Sequence, residues 1–440
     1  MFEFLCRRRE KLKSPLVRDT FIYTITDSIG KGVGFLLLPL VSFYVTPDEL
    51  GIATNFVVLT QIASLLAGLA IVNSLPYFYY EQTKEQNQKL VSSLLFICMV
   101  LCVSLLLLDW LLNSFLSDSL KLDIGLQVYA IICVACTLIG GVNFQLLRLQ
   151  DKSLWFAGIQ LVQTLIHCAL VLLFVVELKW GGRGKIYADT GAVILLSIVH
   201  LLLMFKQQFL SFKIEKSYCI KLLKFGIPLL PHSLSFWLKS GVDKIFITQY
   251  GGGLFSNGLY SMALTLMSIF SLVSNGFFRA YNPALQKRLA NIKPENEKNE
   301  KLKIVKLTYL CLTAFLFLAL LTIALSWVIL NYMVDDKYKE SFIFIPWLVA
   351  GLFINIIYSF AIEFIYKMKK TLVLGLITFT GSLIQMVLTY YFVKQWDALG
   401  AAYSALVGYV LISIAIFIYS CKVYPMPWFN VFNLPLLKRK

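Results

Sequence analysis

Charge is scarce in this chain: Asp, Glu, Lys and Arg together make up 15% of its 440 residues, and histidine occurs only three times. These shortages exclude most soluble chemistry. No Ser/His/Asp arrangement, no zinc-ligand spacing and no carboxylate pair in a credible setting is found, so nothing calls for a catalytic residue or a metal, and the chain reads as a non-enzyme. Most cysteines, including Cys98, Cys102, Cys133, Cys136, Cys168 and Cys311, lie in apolar stretches, where a thiol packs as a small hydrophobe and no disulfide is expected. The Cys133 and Cys136 pair has redox-like spacing, but Ile131, Ile132 and Leu138 surround it and no second ligand pair is near. Polar surface is short as well. With 58% hydrophobic residues, a soluble fold could not cover its apolar area, and lipid is the solvent that fits.

What is present is a succession of apolar runs bounded by Gly, Pro and charge. They place membrane spans near residues 20–45, 51–77, 90–111, 124–147, 153–176, 187–205, 220–250, 258–279, 306–332, 342–365, 371–395 and 399–421. About twelve helices therefore account for nearly the whole chain. Assigning Lys and Arg near span ends to the adjoining connection puts thirty on the side of the termini, seven on the other and three inside spans. This bias predicts both termini in the cytoplasm and explains the net charge of +16 as topology, with no nucleic acid involved. Connections on the opposite side are too short for an external catalytic domain. The N-terminal Arg7, Arg8 and Arg9 precede a full-length span, so a cleaved signal is not expected.

The two halves echo each other. Gly51 and Pro76 recur as Gly258 and Pro283 at an offset of 207; Lys152-Ser153-Leu154 recurs as Lys370-Thr371-Leu372 at 218; Trp180, Gly184 and Tyr187 recur as Trp396, Gly400 and Tyr403 at 216. Their order indicates a duplication. Since each half has an even number of spans, the copies share one orientation. The expected organisation is an all-α integral membrane protein with an N-terminal six-helix bundle (1–205), a cytoplasmic linker (206–219) and a C-terminal six-helix bundle (220–440) around a central cavity.

Charged residues inside spans are costly, about 2.5–3.5 kcal/mol each when facing lipid, so they mark function or pairing. Span 1 carries Thr20, Thr24, Asp27, Ser28 and Lys31 along one side, and its repeat-related span 7 carries His232, Ser235, Lys239, Asp243 and Lys244. Two readings are open: Asp27 with Lys31 and Lys239 with Asp243 as self-neutralising i,i+4 pairs, or a hydrated cavity in which Lys31, Lys239 and Lys244 hold an anion. Arg279 ends span 8, where it either receives an anion or anchors at lipid phosphates. Gln160, Gln163 and His167 share a face of span 5, as a sugar-facing stripe or as interhelical hydrogen-bond glue. His200 reads as a packed, hydrogen-bonded residue. Gly30-Lys31-Gly32-Val33-Gly34 lacks the spacing and the preceding strand of a phosphate loop. Asp27 or Asp243 are candidates for proton or sodium coupling.

Twelve spans in two halves, the run Pro39-Leu-Val-Ser-Phe-Tyr44-Val-Thr-Pro47-Asp-Glu49-Leu-Gly51, and its counterpart Asn257-Gly258-Leu-Tyr260 together resemble the Wzx-type polysaccharide (O-antigen) repeat-unit flippases. Their superfamily also holds lipid II flippases and multidrug exporters. Leu50 stands where that family commonly has an aromatic residue. The resemblance implies a bacterial inner-membrane transporter that moves an undecaprenyl-diphosphate-linked oligosaccharide to the periplasmic leaflet, for O-antigen, lipopolysaccharide or another surface polysaccharide. It implies no bound cofactor; its partners would be the bilayer, the lipid-linked sugar, and the polysaccharide polymerase and chain-length machinery. The alternatives are an ion-coupled small-molecule exporter, which would favour an acidic cavity, a glycan polymerase or ligase, which would need a large outer loop, and a non-transporting scaffold.

Overall fold

The computed structural model of the protein describes residues 15–211, 214–292 and 294–428, without the side chains of residues 15–17, 20, 21, 24, 27, 31 and 232. Among the described residues there is no strand, and nine helices are long and apolar enough to cross a membrane. The chain packs as two compact units, Met1–Ser261 and Met262–Lys440. The linker expected at residues 206–219 falls inside the first unit. The first unit holds α1 (Pro15–Leu36), α2 (Leu38–Tyr44), α3 (Pro47–Gly68), α4 (Lys84–Leu120), α5 (Ile124–Leu149), α6 (Ser153–Val171), α7 (Gly181–Lys206), α8 (Lys216–Gly226), α9 (Leu230–Ser240), α10 (Val242–Tyr250) and the first turns of α11 (Gly253–Ala290). The second holds the remainder of α11, then α12 (Glu297–Tyr332), α13 (Ile345–Lys367) and α14 (Thr371–Val423).

Spans 1 and 7 are broken. Pro39, in the first turn of α2, cannot continue the hydrogen-bond ladder of α1, and Gly241 separates α9 from α10. Spans 11 and 12 form the single 53-residue helix α14, interrupted at Trp396 and Asp397, where Asp397 takes φ 55°. Outer faces are apolar, as lipid requires: Leu372 is 75% exposed and Trp110 72%. Inside the first unit, Leu90, Val91, Leu94, Val142, Leu146, Met204 and Leu222 form one continuous core.

The duplication is visible in conformation as well as in sequence. Asp151 and Lys369 both adopt positive φ, 54° and 56°. The residues that follow, Lys152 and Lys370, donate their backbone N–H groups to Leu147 and Ile365 and begin α6 and α14 with nearly the same dihedrals. The second matched corner is similar in each unit. A β-carbon on Gly184 would lie 2.7 Å from the Phe174 carbonyl oxygen, and one on Gly400 would lie 2.0 Å from that of Phe392. Trp180 stacks on Phe174 at 5.0 Å, and Trp396 meets Phe392 edge-on at 5.2 Å.

The two motifs that carry the resemblance meet in space. Thr46 caps α3 by accepting from the Glu49 N–H, and the Glu49 carboxylate accepts from the Thr46 N–H at 2.8 Å, a reciprocal capping box. One turn further, a β-carbon on Gly51 would sit 2.2 Å from the Leu254 carbonyl oxygen, and one on Gly258 would sit 1.8 Å from that of Pro47. Backbone touches backbone at both glycines, as small residues permit between membrane helices. Because carbonyls on a helix cannot swing aside, Gly258→Val should lower the thermal unfolding midpoint of the detergent-solubilised protein by far more than Gly276→Val, whose β-carbon meets nothing within 4 Å. Overpacking of this kind costs about 1–3 kcal/mol or more. Equal midpoints for the two variants would contradict the close crossing.

Candidate functional site

The charged residues of the broken span 7 are arranged by its break. At Gly241 the helix ladder lapses, and the Lys244 ammonium donates to the freed Ser240 carbonyl and to Asp243 Oδ1 at 3.2 Å. Tyr260 donates its hydroxyl to Asp243 Oδ2 at 3.0 Å. Both charged side chains are nearly buried, 13% and 10% exposed. The i,i+4 pairing of Lys239 with Asp243 is thereby corrected: the break rotates α10 out of phase with α9, so Asp243 pairs with its neighbour Lys244. Lys239 is left half-buried at the end of α9 with no hydrogen bond or ion pair among the described residues. The side chains of Asp27 and Lys31 lie outside the described residues. Arg279 falls in the part of α11 that belongs to the second unit.

Gln160, Gln163 and His167 of α6 come together on one open cavity of about 450 Å³ in the first unit, lined also by Gly30 of α1, Thr164, and Asp189 and Ala192 of α7. His167 Nε2 donates to Asp189 Oδ1 at 3.0 Å, and Lys185 donates to Asp189 Oδ2 at 2.7 Å. His167 is therefore interhelical glue. The glutamine side chains make no hydrogen bond among the described residues and line the cavity with free amides. A β-carbon on Gly30 of α1 would approach Thr164 Oγ1 at 3.5 Å and Gln160 Nε2 at 3.6 Å. His200 accepts from Asn143 Nδ2 at 2.8 Å and packs on Phe144.

Three acids escaped the sequence reading, the half-buried Asp189 and the buried Glu363 and Asp109. Asp189 sits at the start of an apolar run and is recognisable only once α6 lies beside α7. Glu363 of α13 accepts from Gln286 Nε2 at 2.7 Å. Asp109, eleven residues from the end of α4, is 4% exposed, and neither carboxylate oxygen meets a donor among the described residues. Its signal, a lone acid within Leu105–Leu112, was available in the sequence. Among the described residues no three His, Cys, Asp or Glu converge as a metal site.

The arrangement of membrane helices is shared with solved structures. The chain aligns with an inward-facing multidrug resistance MATE family transporter of the MOP superfamily at TM-score 0.70, 15% identity, covering 91% of this chain and 94% of that one. It aligns with the lipid II flippase MurJ, in an inward closed conformation, at TM-score 0.69 and 15% identity, covering 91% and 87%. Residues 16–288 match the polysaccharide biosynthesis protein family, and the chain belongs to that family. Two Haemophilus influenzae proteins, "Lsg locus putative protein 1" and an uncharacterized membrane protein, are each 24% identical to it over 63% and 61% of its length. The chain spans 67% and 64% of the length of these curated relatives.

The Asp243 and Lys244 pair yields a clear expectation. Removing one partner strands a buried charge, which costs about 3–5 kcal/mol, whereas removing both is often nearly neutral. Lys244→Met should lose more thermal stability than the Asp243→Asn, Lys244→Met double variant. If instead the double variant unfolds earlier by the sum of both single losses, the two groups are not coupled.

Proposed function

We propose that this protein flips an undecaprenyl-diphosphate-linked oligosaccharide from the cytoplasmic to the periplasmic leaflet of a bacterial inner membrane, supplying O-antigen or another surface polysaccharide. Family membership supports the polysaccharide context, and the fold supports carriage across the bilayer. One observation carries the anionic part of the reading: Lys239 is a half-buried cation on a helix of a membrane protein with no hydrogen bond or ion pair among the described residues. A bare diphosphate cannot enter hydrocarbon, and an ammonium without a partner replaces part of its lost hydration. Lys31 and Arg279 are further candidate cations, each on its own helix; Lys244 is already held by Asp243 and keeps the break in shape. The free amides of Gln160 and Gln163 match a hydroxyl-rich sugar, which both donates and accepts.

Alternating access is the assigned mechanism, with the polyprenyl tail remaining in lipid. An inside-negative potential favours anion export by about 2.3 kcal/mol per charge per 100 mV. If a proton or sodium ion couples as well, Asp109 is better placed than Asp243, since among the described residues its carboxylate has no donor or ion partner to give up. Asp27 is the other candidate. An exporter of small cations fits less well, because the group on span 7 that has no partner among the described residues is itself a cation.

Hydrogen bonds to charged groups contribute about 1.5–3 kcal/mol, so Lys239→Ala should slow flipping of a lipid-linked saccharide in proteoliposomes by at least about tenfold, while Lys239→Arg retains most of it. Unchanged flipping and unchanged surface glycan in Lys239→Ala would overturn the assignment. Asp109→Asn should abolish the response of flipping to an imposed ion gradient; a response that persists would remove Asp109 from coupling.

A further inference from the structure

A second polar cavity lies elsewhere in the first unit, sharing no residue with the one lined by Gln160 and Gln163. Three connections converge on it. Tyr79, Tyr80 and Gln82 lead into α4, which adds Lys84 and Asn87; the turn between α5 and α6 adds Gln150 and Lys152; the end of α7 adds Gln207 and Phe209. Two turn residues in the left-handed region, Asp151 at φ 54° and Gln208 at φ 60°, set these segments at their angles. The cavity encloses about 520 Å³, within the usual range for a small-molecule site. All of it lies on the basic side of the chain, the side assigned to the cytoplasm by the charge bias.

Its chemistry is specific. Asn87 is 5% exposed, and its Nδ2 donates to the Tyr79 carbonyl at 2.9 Å and to the Gln82 carbonyl, which fixes the amide's orientation. Its Oδ1 is turned away from both and meets no donor among the described residues, and the same holds for Gln82 Oε1. Gln150 Nε2 is buried beside the Tyr79 hydroxyl and completes no hydrogen bond of ordinary geometry among the described residues. Tyr79 and Tyr80, edge to face at 5.3 Å, add aromatic surface, and Tyr80 is anchored by its hydroxyl on the Leu149 carbonyl at 3.1 Å. Lys84 reaches Gln208 at 2.7 Å, Lys152 is unpaired among the described residues, and no carboxylate lines the cavity.

Buried polar groups without partners are expensive in a folded protein, so a ligand that satisfies all three is favoured. An inorganic anion would satisfy donors only and leave Asn87 Oδ1 and Gln82 Oε1 unmet. A neutral sugar would supply hydroxyl donors and stack on tyrosine but make no use of the two lysines. A sugar carrying a phosphate does both. We infer that this cavity is a phosphosugar-binding site, a second saccharide site that goes beyond the transport reading. The same chemistry is carried by a soluble sugar nucleotide or by the head group of a lipid-linked saccharide.

The test uses the detergent-solubilised full chain and isothermal titration with glucose 1-phosphate, glucose and inorganic phosphate as probes. Glucose 1-phosphate should bind saturably and about tenfold more tightly than either fragment, and Lys152→Ala and Gln150→Ala should each weaken it about tenfold. Should Gln150→Ala fail to fold, Tyr80→Ala, at a side chain that is 70% exposed, removes the stacking surface from outside. Tighter binding of a uridine diphosphate sugar assigns the soluble source; tighter binding of a short-chain prenyl diphosphate sugar assigns the lipid-linked one. Absence of saturable binding by the unaltered protein, phosphate binding as tightly as glucose 1-phosphate, or variants that bind unchanged would each overturn the inference. None of these readouts depends on flipping, so failure here leaves the transport reading standing, and the reverse holds too.

Discussion

The first unit depends on the place where α3 and α11 cross with no β-carbon between them. At Gly51 and Gly258 each helix lies against a carbonyl of the other, and that approach brings Asn55, Thr248 and Asn257 within reach. Asn257 donates to Asn55 Oδ1 at 2.8 Å, and Asn55 in turn donates to the Leu120 carbonyl at 2.7 Å, one of the end carbonyls that α4 cannot satisfy itself. Glu49, already engaged in the capping box of α3, is also the surface on which Gly181 and Gly182 start α7; β-carbons there would lie 1.9 Å and 2.6 Å from Glu49 atoms. Several helix termini are thus fixed through one set of contacts. In hydrocarbon an unsatisfied terminal group has no water to turn to, so such contacts constrain more than their individual strength suggests.

The second constraint is electrostatic and follows from a break rather than a close fit. Gly241 interrupts span 7, frees the Ser240 carbonyl and lets Lys244 fold back onto it and onto Asp243. The break disposes of one cation by giving it a partner and leaves the other, Lys239, half-buried with no partner among the described residues. A continuous helix would have paired Lys239 with Asp243 at i,i+4 and left Lys244 alone, so the break chooses which ammonium is available.

How much of this was legible in the sequence depends on the range of the interaction concerned. Apolar runs and charge bias report on single helices, and most expected spans coincide with helices. The breaks were half legible: Pro39 announced one, whereas Gly241 is one glycine among 25 and Asp397 disrupts α14 with no Gly or Pro beside it. Gln160, Gln163 and His167 were legible as a face because three and four residues bring side chains together on one helix. Asp189 was not, because its meeting with His167 depends on how α6 and α7 lie side by side. The exchange of partners between Lys239 and Lys244 was likewise hidden, since spacing rules assume an unbroken helix.

The repeat separates what duplication preserves from what it does not. The turn conformations at Lys152 and Lys370 and the Gly184 and Gly400 corners persist, because each is a backbone solution that any compact copy must reach. The chemistry between them has diverged. At an offset of 218 the residues matching Gln160, Gln163 and His167 are Thr378, Gly381 and Gln385, and at 216 those matching Lys185 and Asp189 are Ala401 and Ala405. There the stripe is closed by packing: a β-carbon on Gly381 would lie 2.4 Å from Ile412, and one on Gly408 would lie 2.4 Å from Gln385 Oε1. The first copy has an acid, two cationic or titratable partners and free amides around open space; the second has small residues and contact. Thus the backbone corners recur in both copies, whereas the polar cavity beside α6 and α7 gives way to close packing at the matching residues of the second, so that the two copies share a scaffold and differ in the chemistry they display.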